Sequence, residues 1–61
     1  MAIKNLREAA CMSQEELARK AEVNRVSIAR YEAGERIPSL AIAARIAHAL
    51  DCTIDDLLHE K

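Results

Sequence analysis

The segment from Ser13 to Gly34, SQEELARKAEVNRVSIARYEAG, constrains the fold of this chain most, because it carries start and stop signals for two short helices. Ser13 and Glu16 have the S-x-x-E spacing of a capping box, which satisfies the first free amides of a helix. Asn24 can cap a second helix, and Gly34 is a natural left-handed terminator for it. A tight turn between the two helices is therefore predicted at Glu22 and the residue after it.

The second of these helices has an outward face with few long side chains. At 100° per residue, Arg25, Val26 and Arg30 lie within an arc of about 140° together with two alanines. Ile28 and Tyr31 lie on the opposite side, where core residues belong. Two arginines separated by small residues can enter a groove, and a guanidinium group matches guanine O6 and N7. This face predicts a DNA recognition helix that enters the major groove.

The size and composition of the chain favour a small helical bundle. Its 61 residues suffice for one domain, near the lower size limit for folding alone. The chain has only one Pro and one Gly, which are the residues that interrupt helices, and only one aromatic residue, a type that favours β-strands. Three more helices are predicted, at Ile3–Ala10, at Leu40–Leu50 after the cap Ser39, and after the cap Thr53. The prediction is one all-α domain over residues 1–61, a compact five-helix bundle with its helix-turn-helix unit at about 13–34.

Apolar residues at helical spacing identify the inward faces of these helices. Ile42 departs from the pattern of its own helix. It can extend the core, or it can join Ile54 or Leu58 in a dimer patch, and both interpretations stay open. The predicted inward positions of the first, second and fourth helices are Ile3, Leu6, Ala10, Leu17, Ala18, Ala21, Leu40, Ala43, Ile46, Ala47 and Leu50.

The net charge of −1 argues mildly against a nucleic-acid partner, but the charges are unevenly distributed. Residues 1–50 carry eight basic and six acidic side chains, whereas residues 51–61 carry four acidic and one basic. The acidic end of the chain can face away from a polyanion. Weak overall charge still predicts modest non-specific affinity for DNA.

The sequence contains no sign of metal, membrane or catalytic chemistry. Cys11 and Cys52 are predicted to be reduced and unpaired, and with His48 and His59 they lack the paired spacing of a zinc site. No signal peptide or membrane span is visible, which predicts a cytoplasmic protein without membrane contact. No nucleophile–His pair or glycine-rich phosphate loop is present, so we expect neither an enzyme, a cofactor nor a small-molecule substrate.

The pattern of residues from Leu6 to Leu58, nearly the whole chain, is similar to that of a known protein family. The matching positions are Ser13-Gln14, Ala18, Val23, Ile28, Glu32, Gly34, Pro38-Ser39 and Ile46-Ala47-x-Ala49-Leu50. In this order they resemble the phage-repressor (Cro/XRE-like) helix-turn-helix family. The resemblance implies a lambda-repressor-like domain that binds double-stranded DNA. It also implies a transcriptional regulator, with repression the expected mode, that acts as a homodimer on a palindromic operator.

The resemblance also assigns roles to individual residues. Base reading is assigned to Arg25, Val26 and Arg30, and phosphate contact to Gln14, Ser27 and Arg36. Gln14 commonly also braces the recognition helix in this family. Arg7 and Glu32 match a partly buried ion pair between the first and third helices.

Several of these assignments have plainer alternatives. Arg25 and Arg30 can be solvated charges, Val26 a single exposed valine, and a mid-helix serine can bond back to its own helix. Arg19, Lys20 and Arg45 are predicted to be solvated, and both histidines exposed. The alternative for the whole protein is a protein-interaction module of the same fold, such as an antitoxin-like or adaptor partner.

Three turn positions depart from the family pattern. Glu22 lies where the family usually has glycine, and the positions of Cys11 and Asp51 are often Gly or Asn. A positive φ at such a position costs a non-glycine residue roughly 1 kcal/mol.

Overall fold

The computed structural model of the protein describes residues 1–59. Five helices follow one another within this range: α1 (Ile3–Ala9), α2 (Gln14–Ala21), α3 (Arg25–Glu32), α4 (Leu40–Ala49) and α5 (Ile54–Leu58). The predicted all-α, five-helix fold is confirmed. The helices α1 and α4 each end one residue before the predicted boundary.

Side-chain caps begin four of the five helices. The Ser13 hydroxyl accepts the Glu16 amide at 3.0 Å, and the Asn24 side chain accepts the Val26 amide at 2.7 Å. Ser39 and Thr53 cap α4 and α5 in the same way. No side chain caps α1. Instead, the amide just before it, on Ala2, donates to the Leu57 carbonyl at 2.8 Å and ties α1 to α5.

Each helix contributes one large, fully buried side chain to a single core. These residues are Ile3, Leu17, Ile28, Ile46 and Leu57. The helix α2 packs against α3 and α4, α5 packs against α4, and α1 packs against α3. Both helices of the α2–α4 pair bury alanines, namely Ala18 and Ala21 on α2 and Ala43 and Ala47 on α4. The small side chains in this contact explain how a chain with a single aromatic residue can still form a closed core.

Two residues predicted to face inward, Ala10 and Leu40, are exposed. Ala10 is exposed because α1 ends before it and it serves as the C-cap. Leu40 is 75% exposed because it is the first residue of α4, where the side chain extends past the start of the helix. Ile42 is half-buried and packs against the core, which favours its core interpretation.

Left-handed backbone conformations follow the ends of four helices, α1 to α4. Cys11, Glu22 and Asp51 have φ values of 57°, 57° and 56°, and Gly34 has 76°. The predicted role of Gly34 as a left-handed terminator is confirmed. The three other residues adopt the positive φ that their sequence positions indicated, and each does so with a Cβ atom present. Such conformations store roughly 1–2 kcal/mol apiece.

We expect Glu22→Gly to stabilise the protein by about 0.5–1 kcal/mol. Glycine removes the left-handed strain of about 1–2 kcal/mol, and the greater entropy of glycine in the unfolded chain offsets part of this gain. Urea denaturation followed by circular dichroism measures the change. Glu22→Ala is the control, because it removes the carboxylate and keeps the strain. A Glu22→Gly variant no more stable than Glu22→Ala would contradict this prediction.

In residues 1–59, none of the helices has the length and apolar character needed to cross a membrane.

Candidate nucleic-acid interface

The outward face of α3 carries two arginines whose guanidinium groups are unoccupied. Arg25 and Arg30 are exposed, Val26 between them is 47% exposed, and Ile28 on the opposite side is fully buried. Within residues 1–59, neither arginine side chain makes a hydrogen bond or ion pair. Both are therefore free to present their N–H groups to a ligand.

The two ends of α3 are fixed by backbone hydrogen bonds. Before the helix, the Val23 amide donates to the Ala18 carbonyl at 2.9 Å, and the side chain of Val23 packs on the core. After the helix, the Gly34 amide donates to the Tyr31 carbonyl at 3.2 Å and the Glu35 amide to the Arg30 carbonyl at 2.9 Å. This closing turn brings Arg36 to the surface beyond the C-terminal end of α3, where it is exposed.

A polar network joins α1, α2 and α3 behind this face. Arg7 Nε donates to Glu32 Oε2 at 2.7 Å, and Arg7 Nη2 donates to Oε1 at 3.3 Å. Arg7 Nη1 also donates to the Met12 carbonyl at 2.7 Å, and Gln14 Nε2 donates to Glu32 Oε1 at 2.9 Å. Arg7 and Glu32 thus form the ion pair that the sequence resemblance implied. Gln14 extends this pair to a three-residue network through its hydrogen bond to Glu32.

The network is largely shielded from solvent, since the side chains of Arg7 and Glu32 are 12% and 5% exposed. The hydrogen bond to Glu32 raises the pKa of Arg7, against the opposing effect of burial. Arg7 therefore stays cationic, and the carboxylate of Glu32 has two charged or polar donors. The C-terminal end of the recognition helix is held by side chains of both preceding helices.

The three residues predicted to contact DNA phosphates differ in exposure and in hydrogen bonding. Gln14 is half-buried at the start of α2, and one of its two amide hydrogens is taken by Glu32. Ser27 is half-buried, and no hydrogen bond from its hydroxyl to its own helix is present among the described residues. Arg36 is exposed and makes no side-chain hydrogen bond or ion pair within residues 1–59.

Arg45 is not simply solvated, contrary to the sequence prediction. Its side chain is on the surface, yet its guanidinium donates hydrogen bonds to the carbonyls of Ala21 and Glu22 in the turn between α2 and α3. The prediction was wrong because a helical wheel identifies an outward position but gives no information on a carbonyl 23 or 24 residues away.

An apolar groove lies beside the C-terminal end of α3, lined chiefly by Tyr31, Ile37, Leu40, Ile54 and Leu58. Residues 1–59 contain four large apolar side chains that are exposed, and three of them line this groove. Ile37 is 87% exposed, Leu40 75% and Leu58 58%. The predicted dimer patch is thus part of the groove at Ile54 and Leu58, while Ile42 lies outside it. Sequence periodicity missed Ile37, because that residue is in a loop.

The cysteines and histidines do not assemble into a ligand set within the described residues. Cys11 is exposed and Cys52 half-buried, and both thiols are free. Burial, followed by the nearby carboxylates of Asp56 and Asp51, raises the pKa of Cys52. No group of three or more His, Cys, Asp or Glu side chains in residues 1–59 is arranged to hold a metal ion.

A capped α2, a tight turn and an arginine-bearing α3 inside a five-helix core define a helix-turn-helix domain of the DNA-binding type. A family model described as helix-turn-helix matches residues 3–57. The chain belongs to the Cro/XRE-type helix-turn-helix family. Members of this family are helix-turn-helix transcriptional regulators.

Two curated relatives support this membership, both named as uncharacterized HTH-type transcriptional regulators of Archaeoglobus fulgidus. One is 46% identical over 46 residues, which cover 75% of this chain and 66% of the relative. The other is 40% identical over 55 residues, which cover 90% of this chain and 78% of the relative. The matched segment thus spans about two thirds to four fifths of the length of these relatives.

Proposed function

We propose that this protein is a sequence-specific repressor of transcription that binds double-stranded DNA as a homodimer at a palindromic operator. It has no enzymatic activity in this account. The observation that carries the proposal is the exposed α3 face, on which Arg25 and Arg30 have no partner within residues 1–59. An arginine left free beside small side chains is suited to bidentate contact with guanine.

In this proposal α3 lies in the major groove and its three outward residues read base edges. Arg25 and Arg30 each bind a guanine through O6 and N7, and Val26 packs against a thymine methyl group. Each good bidentate pair contributes about 1–3 kcal/mol of discrimination against a wrong base. The partly buried network of Arg7, Gln14 and Glu32 supports this role, because it holds the C-terminal end of α3.

Phosphate contacts set the register of α3 on the duplex. The first amides of α2 have no partner within that helix and carry its positive dipole end, and Gln14 retains one free amide hydrogen. Ser27 and Arg36 bind the backbone on either side of the groove. These contacts position the protein without adding sequence information.

Dimer formation supplies the specificity that one small module lacks. A single module buries only about 600–1,000 Å² on DNA, and two copies read half-sites about 34 Å apart. The molecule extends 23 Å along its longest axis, so two touching copies are wide enough for this spacing. The apolar groove beside α3 is the proposed contact surface. Its exposed Ile37, Leu40 and Leu58 form a patch of the kind that marks interfaces.

We expect Ile37→Glu to weaken the dimer at least about tenfold, because a carboxylate buried in an apolar interface costs several kcal/mol. Ile37 is almost fully exposed in the monomer, so the fold should tolerate the change. Ala44→Glu, an exposed position on α4 that does not line the groove, is the control. Binding stoichiometry on a palindromic duplex measures the effect. Cooperative two-to-one binding by Ile37→Glu would contradict a dimer formed through this groove.

The proposal can be tested before any operator is known, by NMR titration of the ¹⁵N-labelled protein with a random-sequence duplex at low salt. Amide shifts concentrated at the start of α2 and along the outward face of α3, at Arg25, Val26 and Arg30, are expected. Shifts confined to the apolar groove and α5, or none at all, would count against DNA binding. The alternative function, a protein-interaction module, would then become the better account, since the groove and the net charge of −1 suit it.

A further inference from the structure

Arg45 connects α4 to the turn of the helix-turn-helix. Its Nε donates to the Ala21 carbonyl at 3.0 Å, and its Nη2 donates to the Glu22 carbonyl. Ala21 is the last residue of α2 and Glu22 is its C-cap. One planar guanidinium therefore binds two successive carbonyls at the point where the chain turns from α2 into α3.

These two hydrogen bonds act where the turn most needs support. The last carbonyls of a helix have no partner within it and carry its negative dipole end, so a cation there is favourable. Glu22 has a φ of 57° and lacks the glycine that such a conformation favours. Arg45 thus binds the carbonyls of the two peptide groups that flank the Cα atom of the strained residue Glu22. Its fork geometry holds both at once, which a lysine ammonium group cannot do in the same way.

We infer that Arg45 is a positioning residue for DNA recognition, which keeps Glu22 in its left-handed conformation and thereby sets the direction of α3 relative to α2. The inference rests on the proposed DNA-binding function. It assigns no DNA contact to Arg45. Arg45 affects operator binding indirectly, because it stabilises the conformation of the turn that orients α3.

A prediction specific to this role follows from the strain at Glu22. Without Arg45, residue 22 can leave the left-handed region, and α3 then departs from the orientation that fits the groove. Glycine adopts the left-handed region without strain, so Glu22→Gly should restore the turn even when Arg45 is absent. If Arg45 contributed only general stability, glycine would not restore the operator affinity of molecules that are already folded.

The test compares Kd for the best selected duplex with Kd for a random duplex, under conditions where circular dichroism shows every variant to be folded. Arg45→Ala is expected to reduce this specificity ratio at least about tenfold, which is about 1.4 kcal/mol. Arg45→Lys, which retains the charge and loses the fork, should give an intermediate ratio. The double variant Glu22→Gly/Arg45→Ala should return to within about threefold of the parent ratio.

Leu6→Ala is the matched control, because it truncates a half-buried apolar side chain on α1, which lines neither the turn nor the groove, and so lowers stability without affecting either. Its specificity ratio should stay unchanged. An unchanged ratio for Arg45→Ala, or a double variant no better than Arg45→Ala alone, would overturn the inference.

A parent protein that shows no preference between the two duplexes would instead overturn the proposed function. In that case the inference is still decided without DNA, by the three-bond HN–Hα coupling of residue 22, which reports φ. This coupling should change in Arg45→Ala and take an intermediate value in Arg45→Lys. A coupling unaffected by Arg45→Ala would overturn the role of Arg45 in the turn.

Discussion

Arg7→Ala is expected to destabilise the fold by about 2–3 kcal/mol, somewhat less than the loss of one partner costs in a fully buried ion pair, because this pair is partly buried. The Glu32 carboxylate is 5% exposed and would keep only the Gln14 amide as a donor. The Met12 carbonyl would also lose its hydrogen bond from Arg7. A chain of 61 residues has a total stability of about 3–9 kcal/mol at the usual value per residue. The substitution should therefore remove a large share of the total stability.

Urea denaturation followed by circular dichroism measures this loss. Lys4→Ala is the matched control, because Lys4 is an exposed cation on the same helix, and its loss should change stability by less than about 0.5 kcal/mol. Arg7→Lys retains the charge but loses the two-pronged contact with Glu32, so an intermediate stability is expected. A cost below about 1 kcal/mol for Arg7→Ala would mean that the ion pair does not hold α1 to α3.

Arg30→Ala is expected to weaken binding to the best selected duplex at least about 30-fold and to change binding to random duplex much less. The reason is that a bidentate guanine contact is worth about 1–3 kcal/mol, and both half-sites of a palindrome lose it. Random DNA loses only the attraction of one charge per protomer. Fluorescence anisotropy with both duplexes at one fixed salt concentration separates the two effects.

Arg19→Ala provides a control with the same charge change. Arg19 is exposed on α2 and lies outside the α3 face. Its removal should lower the affinity for both duplexes to a similar, small degree and leave the preference for the selected duplex unchanged. If Arg30→Ala behaved in the same way as Arg19→Ala, Arg30 would be an ordinary surface charge with no part in base reading.

Local signals in the sequence predict much of this fold. The caps Ser13, Asn24, Ser39 and Thr53 act on their own neighbours within two or three residues, so the helix starts follow from sequence spacing alone. The end of α3 near Gly34 follows in the same way from the need for a positive φ. The recurrence of apolar residues every three to four positions then identifies most of the residues that each helix buries.

Contacts between distant segments could not be predicted from periodicity. Arg45 occupies an outward position on its own helix, and its partners are known only once α4 packs against α2. Periodicity also fails to predict burial at the first residue of a helix. Leu40 matches the inward positions of α4, yet its side chain extends past the start of the helix into the groove. Arg7 and Glu32 lie 25 residues apart, and it was the family resemblance that indicated their pairing.

Selection of bound sequences from a random duplex pool, repeated at two salt concentrations, tests the central claim most directly. We predict enrichment of a palindrome whose half-sites carry guanines at fixed positions about one helical turn apart, as readout by Arg25 and Arg30 in a dimer requires. The motif should persist at the higher salt concentration. Enrichment of no motif, with binding lost at moderate salt, would contradict the account and leave only non-specific attraction between charges.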